Sequence, residues 1–249
     1  MSVYSAFAST SQVLFGTRIG ELGQFKEYLL EMVDQPLEAK SAISGKPIYL
    51  SRQHYAREAK FIDIAEAQAA AGKLNINQIK DIDSLLAAAA ERFAYCGNKN
   101  LGISMNVEES DACNDSLDVL FSQNVMASKR VAYSHGIRES DSAFGCQLGG
   151  EVEFCMRCQI IFFSKRCFET YLSERCTDCY FCFNCRNCSD CLFCFNQNSK
   201  RHCIGNLELP KAKYLQLKKK LLGEVAEGLR AKKHFPSLFE MAAGGVVDG

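Results

Sequence analysis

The sequence of 249 residues contains no tryptophan and only four prolines, and its 29 basic residues are balanced by 29 acidic ones. A chain without net charge has no global electrostatic field that would favour nucleic acid or a membrane surface. No apolar run approaches the about 20 residues that cross a bilayer, and the first residues lack the basic and apolar regions of a secretory signal. We therefore expect a protein that is not secreted by a signal peptide, with no membrane contact, in the cytoplasm or within an assembled particle.

Signatures of catalysis are also missing. The four histidines, His54, His135, His202 and His234, belong to no zinc-protease or Cys/His pattern. No glycine-rich loop with the spacing of a phosphate-binding motif is present. The sequence therefore predicts a protein that is not an enzyme.

Cysteine is abundant, with 14 residues. Without an export signal, so many cysteines are more typical of reduced or metal-bound thiols than of a disulfide framework. All but Cys96 lie on a lattice in which small or apolar residues recur at every third position from Leu101 to Cys203. Serine, valine, isoleucine, alanine and threonine occupy most of the other lattice positions.

A period of three excludes a long helix, which would repeat near 3.6, and a solvated strand, which would repeat near 2. A parallel β-solenoid fits, because each coil places its inward side chains above those of the coil below. The segment 177–184 recurs twelve residues later as 189–196, which predicts a coil of about twelve residues with four inward positions. The alternative is a triangular solenoid of about 18 residues per coil, whose inward residues are usually two apart.

The predicted fold class is thus α+β: a helical N-terminal region (1–97), a cysteine-rich parallel β-solenoid (98–206) and a C-terminal amphipathic helix with a tail (207–249). Apolar spacing predicts N-terminal helices over 21–33, from Ser51 to Gly72, and from Asn77 to Gly97. The last of these places five residues on one face: Ile79, Ile82, Leu86, Ala89 and Phe93. The C-terminal helix opens at Leu209–Pro210 and carries its apolar face on Tyr214, Leu217, Leu221, Val225 and Leu229.

The inward spacing of three resembles that of the twelve-residue solenoid of the beetle antifreeze proteins, and this resemblance covers the architecture alone. The ice-binding face of that family needs Thr-x-Thr on each coil. Here the equivalent positions are Asp118/Leu120 and Arg130/Ala132, so ice binding is excluded. The CxxC run followed by a lysine-rich helix also resembles uncharacterised cysteine-rich proteins of phages and small-genome bacteria, which implies a viral or assembly role.

Three interpretations of the cysteines stay open. Reduced thiols can serve as small core residues, four thiolates can hold a structural zinc ion, and disulfides can join residues six apart. The zinc interpretation assigns Cys179, Cys182, Cys185 and Cys188 as ligands, and no other cofactor is expected. Because serine, valine, isoleucine and threonine occupy equivalent positions, core packing is the favoured interpretation.

An apolar column lies one residue after an inward position, at every twelfth residue: Leu120, Ala132, Phe144, Met156, Phe168, Tyr180, Leu192 and Ile204. A stripe of this length would not stay exposed in a soluble monomer, so either the chain's own helices or another subunit must cover it. A neighbouring column is aromatic only at its ends: Phe121, Tyr133, Gly145, Arg157, Glu169, Phe181 and Phe193. The candidate interface residues are Leu120, Phe144, Met156, Phe168, Tyr180 and Leu192.

The leading hypothesis is a structural or assembly protein, such as a virion or particle component, which docks to a protein partner or to itself through the apolar solenoid face and its termini. One alternative is a structural zinc module centred on the CxxC run. The other is nucleic-acid binding through the basic helix, because residues 211–233 contain eight Lys or Arg and two Glu. A solvated helix face explains that charge more simply, so a nucleic-acid partner is disfavoured.

Overall fold

The computed structural model describes residues 2–51, 54–162 and 164–243. Its helices are α1 (Val3–Phe15), α2 (Lys26–Leu30), α3 (Ala67–Ala70), α4 (Ile82–Ala90), α5 (Lys211–Lys232) and α6 (Leu238–Ala242), with 3₁₀ turns at Leu22–Phe25, Ile64–Glu66 and Ile76–Gln78. The strands before the solenoid are β1 (Leu37–Lys40), β2 (Pro47–Leu50), β3 (Phe61–Asp63) and β4 (Tyr95–Gly97). The later strands are β5 (Asn100–Leu101), β6 (Met105–Glu108), β7 (Asp111–Asn114), β8 (Leu117–Leu120), β9 (Gln123–Met126), β10 (Lys129–Ala132), β11 (Asp141–Phe144), β12 (Gln159–Phe162), β13 (Phe168–Glu174), β14 (Thr177–Phe183), β15 (Ser189–Leu192), β16 (Arg201–Ile204) and β17 (Leu207–Glu208).

The solenoid is parallel, and its register confirms the predicted twelve-residue coil. Lys129 pairs with Leu117 on one side and with Asp141 on the other, and Cys179 pairs with Cys191. About nine turns stack in this way. The alternative of a triangular solenoid with longer coils is therefore wrong.

A left-handed backbone conformation shapes each coil. From Asn106 to His202, every third described residue has a positive φ, and only Gly136 and Gly145 among them are glycines. Each such residue directly precedes an inward position, so a coil of twelve residues turns four times and has four short sides. Since a non-glycine residue in this region costs about 1 kcal/mol, the ladder hydrogen bonds and the packed interior must offset the cost.

The inward side chains form four columns along the solenoid axis. Two columns begin with serine (Ser110, Ser122 and Ser134; Ser116, Ser128 and Ser140), and two begin mainly with aliphatic residues (Val107, Val119 and Val131; Cys113, Val125 and Ile137). Cysteines enter all four columns towards the C-terminal end. Except for the half-buried Val107, these residues and the thirteen lattice cysteines are almost fully buried, with at most 4% exposure.

Helices α1, α2, α5 and α6 pack along one side of the solenoid and cover the apolar column. The Phe7 ring of α1 meets Phe144 edge-on with 5.4 Å between centroids, and Phe15 meets Phe168 at 5.0 Å. Gly145 allows the closest approach, because a Cβ atom there would lie 2.4 Å from the Leu29 carbonyl oxygen. The sequence indicated that the chain's own helices could cover this column, but it predicted no helix over α1.

The region before the solenoid is less helical than predicted. The helix expected from Ser51 to Gly72 is wrong: the chain forms β3, a 3₁₀ turn and the short α3 there, and residues 52 and 53 lie outside the described residues. The helix expected from Asn77 to Gly97 is shorter in the structure, where it consists of α4 alone. The end of the expected range forms β4, which pairs with β3 in parallel. Pairing between strands that are distant in the sequence thus overrides the local helical preference. Residues 244–249 of the predicted tail also lie outside the described residues.

Both ends of the solenoid are closed by the chain itself. At the N-terminal end, Ile48 and Leu50 of β2 are fully buried, and the Asp111 carboxylate accepts hydrogen bonds from the Ser51 and Lys99 amides. At the C-terminal end, β17 runs antiparallel to β16, and the side-chain oxygen of Asn206 accepts the hydrogen bond that the Phe195 amide donates. No helix in the described part of the chain has the length and apolarity that a membrane span requires.

Candidate functional site

The six candidate interface residues lie inside the molecule. Phe144, Met156, Phe168, Tyr180 and Leu192 are at most 2% exposed, and Leu120 is half-buried against the same cluster. The Tyr180 hydroxyl donates a hydrogen bond to the Leu14 carbonyl oxygen of α1 at 3.3 Å. The chain's own helices thus cover five of the six residues, and Leu120 keeps a partly exposed surface.

The four cysteines assigned to zinc are successive inward residues of the solenoid and hydrogen-bond to the backbone. The Cys182 thiol donates to the carbonyl oxygen of Tyr180 at 3.4 Å and to that of Cys191 at 3.6 Å. Cys179 and Cys185 make the same two contacts, two residues back and nine residues on. Cys188 makes the first of them.

Serine plays the same structural part in the N-terminal coils. Ser134 stands in the same column as Cys182, and its hydroxyl donates to the carbonyl oxygens of Ala132 at 2.8 Å and Ala143 at 3.4 Å. Serine and cysteine can therefore replace each other at these positions, because both are small hydrogen-bond donors that satisfy the same carbonyl groups. This shared pattern supports the core-packing interpretation.

Metal-ligand geometry is absent from the four cysteines. A tetrahedral zinc–thiolate site has Zn–S bonds of about 2.3 Å, which brings the sulfurs within about 4 Å of one another. Among the described residues, one group of His, Cys, Asp or Glu side chains has three ligand atoms within 4.8 Å of one another, and it contains no cysteine. All fourteen cysteines are free thiols, and burial raises the pKa of Cys188 to about 11. The structural zinc site stays a prediction without an assembled ligand set.

We expect the substitution Cys182→Ser to be tolerated, with a loss of unfolding free energy below about 1.5 kcal/mol, because the hydroxyl can make the hydrogen bonds of Ser134. Urea denaturation followed by circular dichroism measures this, and Cys96→Ser, outside the lattice, serves as the matched control. Loss of folding in Cys182→Ser alone, together with zinc in the wild-type protein, would instead support the zinc site.

A buried ionic cluster, which the sequence did not predict, interrupts the second outward column. Arg157 and Glu169 are each 3% exposed, and the Arg157 Nε lies 3.0 Å from the Glu169 Oε1. Arg157 also pairs with Glu31, and its guanidinium lies 4.1 Å from the Tyr28 ring centre. In the sequence, the only sign of this cluster is that Arg157 and Glu169 interrupt the second outward column, which is aromatic at both ends.

The carboxyl group of Glu169 joins three segments of the chain. It accepts a hydrogen bond from the Tyr28 hydroxyl of α2 at 3.1 Å, and the Leu238 amide at the start of α6 is close enough to act on its charge. Burial raises the pKa of Glu169 to about 8, although Arg157 acts in the opposite direction. A carboxyl group with a strongly shifted pKa can mark a reactive site or a structural network. Here Arg157, Tyr28 and the start of α6 lie around the group, and these contacts hold the helices against the solenoid.

Exposed large apolar side chains gather in and around α4, and we call this group the α4 patch: Ile76, Ile79, Ile82, Leu86 and Phe93. Their exposed fractions are 76%, 48%, 65%, 60% and 73%. The sequence placed four of these residues on one face of a helix, and the structure leaves this face uncovered. Surface that combines large aliphatic and aromatic side chains in this way is typical of an interaction site.

The basic residues of α5 lie opposite its buried face. Tyr214, Val225 and Leu229 pack into the helix–solenoid core, as predicted, and most of the lysines are exposed. Nucleic-acid binding by this helix stays a prediction.

Comparison of the chain with protein-family models, with curated proteins and with solved structures found no match. The likeness to the antifreeze solenoid therefore rests on the confirmed coil length and inward spacing alone.

Proposed function

We propose that this chain is a non-enzymatic structural protein that self-assembles, with the solenoid as a rigid body and the α4 patch as its contact to a second copy. A particle such as a virion is one setting in which a protein of this kind acts. The observation that carries the proposal is the exposure of the α4 patch, since five large apolar side chains there face solvent in the single chain. Burying them in a dimer would remove this exposed surface from water.

The charges around the patch favour a second copy as the occupant. The chain has no net charge, so two copies do not repel each other at long range. Asp81 and Asp83 lie at the start of α4 and Arg92 follows its end, all exposed. Exposed Lys80 precedes Asp81 and exposed Glu91 precedes Arg92, so neither end of α4 carries more than one net charge, and two antiparallel α4 helices can meet in a two-fold dimer without strong repulsion.

We expect the wild-type protein to elute at a mass above the 27.7 kDa of one chain in size-exclusion chromatography with light scattering. The double substitution Ile82→Glu/Leu86→Glu should give a monomer, because it places charges at the centre of the interface. Ile43→Glu, at an equally exposed residue outside the patch, is the matched control and should assemble as the wild type does.

A monomeric wild-type protein at about 100 μM, well above the concentration at which a micromolar dimer forms, would contradict the proposal. So would assembly that persists unchanged in the double variant, because that would place the interface elsewhere.

A further inference from the structure

Three potential metal ligands from separate segments meet beside the buried ionic cluster. Glu31 follows the end of α2, His234 lies between α5 and α6, and Glu240 belongs to α6. One ligand atom from each lies within 4.8 Å of the other two, and each side chain is about 40% exposed. Solvent can therefore reach this point, in contrast to the thiols inside the solenoid.

The contacts within this group are not ordinary hydrogen bonds. The His234 Nε2 lies 3.7 Å from the Glu240 Oε2 and 4.0 Å from the Glu31 Oε2, beyond the distance at which an imidazole donates to a carboxylate. Ligands that share an ion at about 2.1 Å are about 3 Å apart or more, so small side-chain movements would complete a site. The three ligand atoms thus lie near metal-ligand separations without hydrogen-bonding to one another, while the Glu31 and Glu240 carboxylates also accept hydrogen bonds from Arg157 and the Ser237 amide.

We infer that Glu31, His234 and Glu240 bind a first-row divalent cation of the zinc class. One imidazole and two carboxylates are the ligand types that such ions take in proteins, and three protein ligands leave a further position for water. Since the ligands come from α2, the α5–α6 connection and α6, the ion would fasten the C-terminal segment to the N-terminal helices.

The charge around the site is consistent with a cation. Arg157 pairs with Glu31 from the buried side and offsets one of the two carboxylates, so Glu240 supplies the remaining negative charge for the cation. The Glu240 Oε2 also accepts a hydrogen bond from the Ser237 amide, which holds its carboxyl group in place at the start of α6. The Tyr28 ring packs edge-on against the His234 ring with 5.4 Å between centroids and limits its movement.

Cobalt(II) is the probe that separates this site from the thiols, because cobalt bound by nitrogen and oxygen lacks the sulfur-to-cobalt charge-transfer absorption of a thiolate site. We expect one equivalent of cobalt to bind without that absorption. At a concentration 100 times the dissociation constant it should raise the melting temperature by about 5 °C. His234→Ala and Glu240→Gln should each weaken binding at least about 10-fold.

The matched control is His54→Ala, which removes an exposed histidine outside this group and should bind cobalt as the wild type does. Glu240→Gln keeps an oxygen that can accept the Ser237 hydrogen bond, so it tests the ligand without removing the helix cap. Absence of binding at cobalt concentrations up to about 1 mM would overturn the inference. Thiolate absorption or unchanged affinity in both variants would overturn it too. The inference does not rest on self-assembly, and the Ile82→Glu/Leu86→Glu variant should bind cobalt equally.

Discussion

Replacing Val125 by phenylalanine should unfold the solenoid. Val125 is fully buried in an inward column, between Cys113 in one neighbouring coil and Ile137 in the other. Successive coils are only about 4.8 Å apart, and the hydrogen bonds on both sides fix the backbone at that spacing. Buried Cys113 and Ile137 occupy the positions on both sides, so we expect a loss well above the usual 1–3 kcal/mol of an overpacked core, about 4 kcal/mol or more.

Ser128→Phe tests the same claim at a serine column. Its hydroxyl donates to the Met126 carbonyl oxygen at 2.7 Å, so this variant loses a hydrogen bond in addition to the steric cost. Circular dichroism and limited proteolysis measure the outcome. Met126→Phe is the matched control, because residue 126 is 47% exposed and adjacent to an inward position. A folded Val125→Phe variant of wild-type stability would show that residue 125 does not face inward.

The coil length could be predicted because the inward positions repeat in the sequence itself. Each column holds residues twelve apart that face the same environment, so the recurrence of segment 177–184 at 189–196 carries the register directly. The left-handed corners also carry a signal in the sequence. Asn and Asp recur there, for example at Asn106, Asp115 and Asn124, and these residues tolerate positive φ better than most.

The cover of the solenoid could not be predicted in full, because it depends on contacts distant in sequence. Helix α1 is rich in serine and alanine and has no clear apolar period, yet Phe7 and Phe15 fit between solenoid residues far along the chain. The apolar column could be found from its spacing of twelve. Which segment covers it depends on shape, as the close approach of Leu29 to Gly145 illustrates.

The candidate sites also differ in how far the sequence could predict them. The CxxC spacing suggested a zinc site, but in this chain a spacing of three is the distance between successive corners of a coil. The α4 patch was visible as a helix face, whereas its exposure depends on tertiary structure. The group of Glu31, His234 and Glu240 joins the two ends of the chain across the whole solenoid sequence, and no local pattern brings it together.

Replacing Arg157 by alanine should cost about 3–5 kcal/mol of unfolding free energy at pH 9, where Glu169 is ionised, because it leaves that carboxylate buried without its cation. The change also removes the partner of Glu31 and the group stacked on the Tyr28 ring. Arg166→Ala is the matched control. Arg166 forms a two-point pair with Asp178 in the same solenoid, but it is partly exposed and should cost below about 1 kcal/mol.

The pH dependence distinguishes this ionic role from simple packing. Burial raises the pKa of Glu169 from its ordinary 4.5 to about 8. The folded protein therefore binds a proton that the unfolded chain releases, and stability falls as pH rises through this interval. Without Arg157 the pKa of Glu169 rises further, so the loss of stability continues to higher pH. The destabilisation by Arg157→Ala should therefore be larger at pH 9 than at pH 6. Guanidinium denaturation at both pH values measures it, and adding Glu169→Gln should remove the difference. An equal destabilisation at both pH values would mean that Arg157 contributes through packing alone.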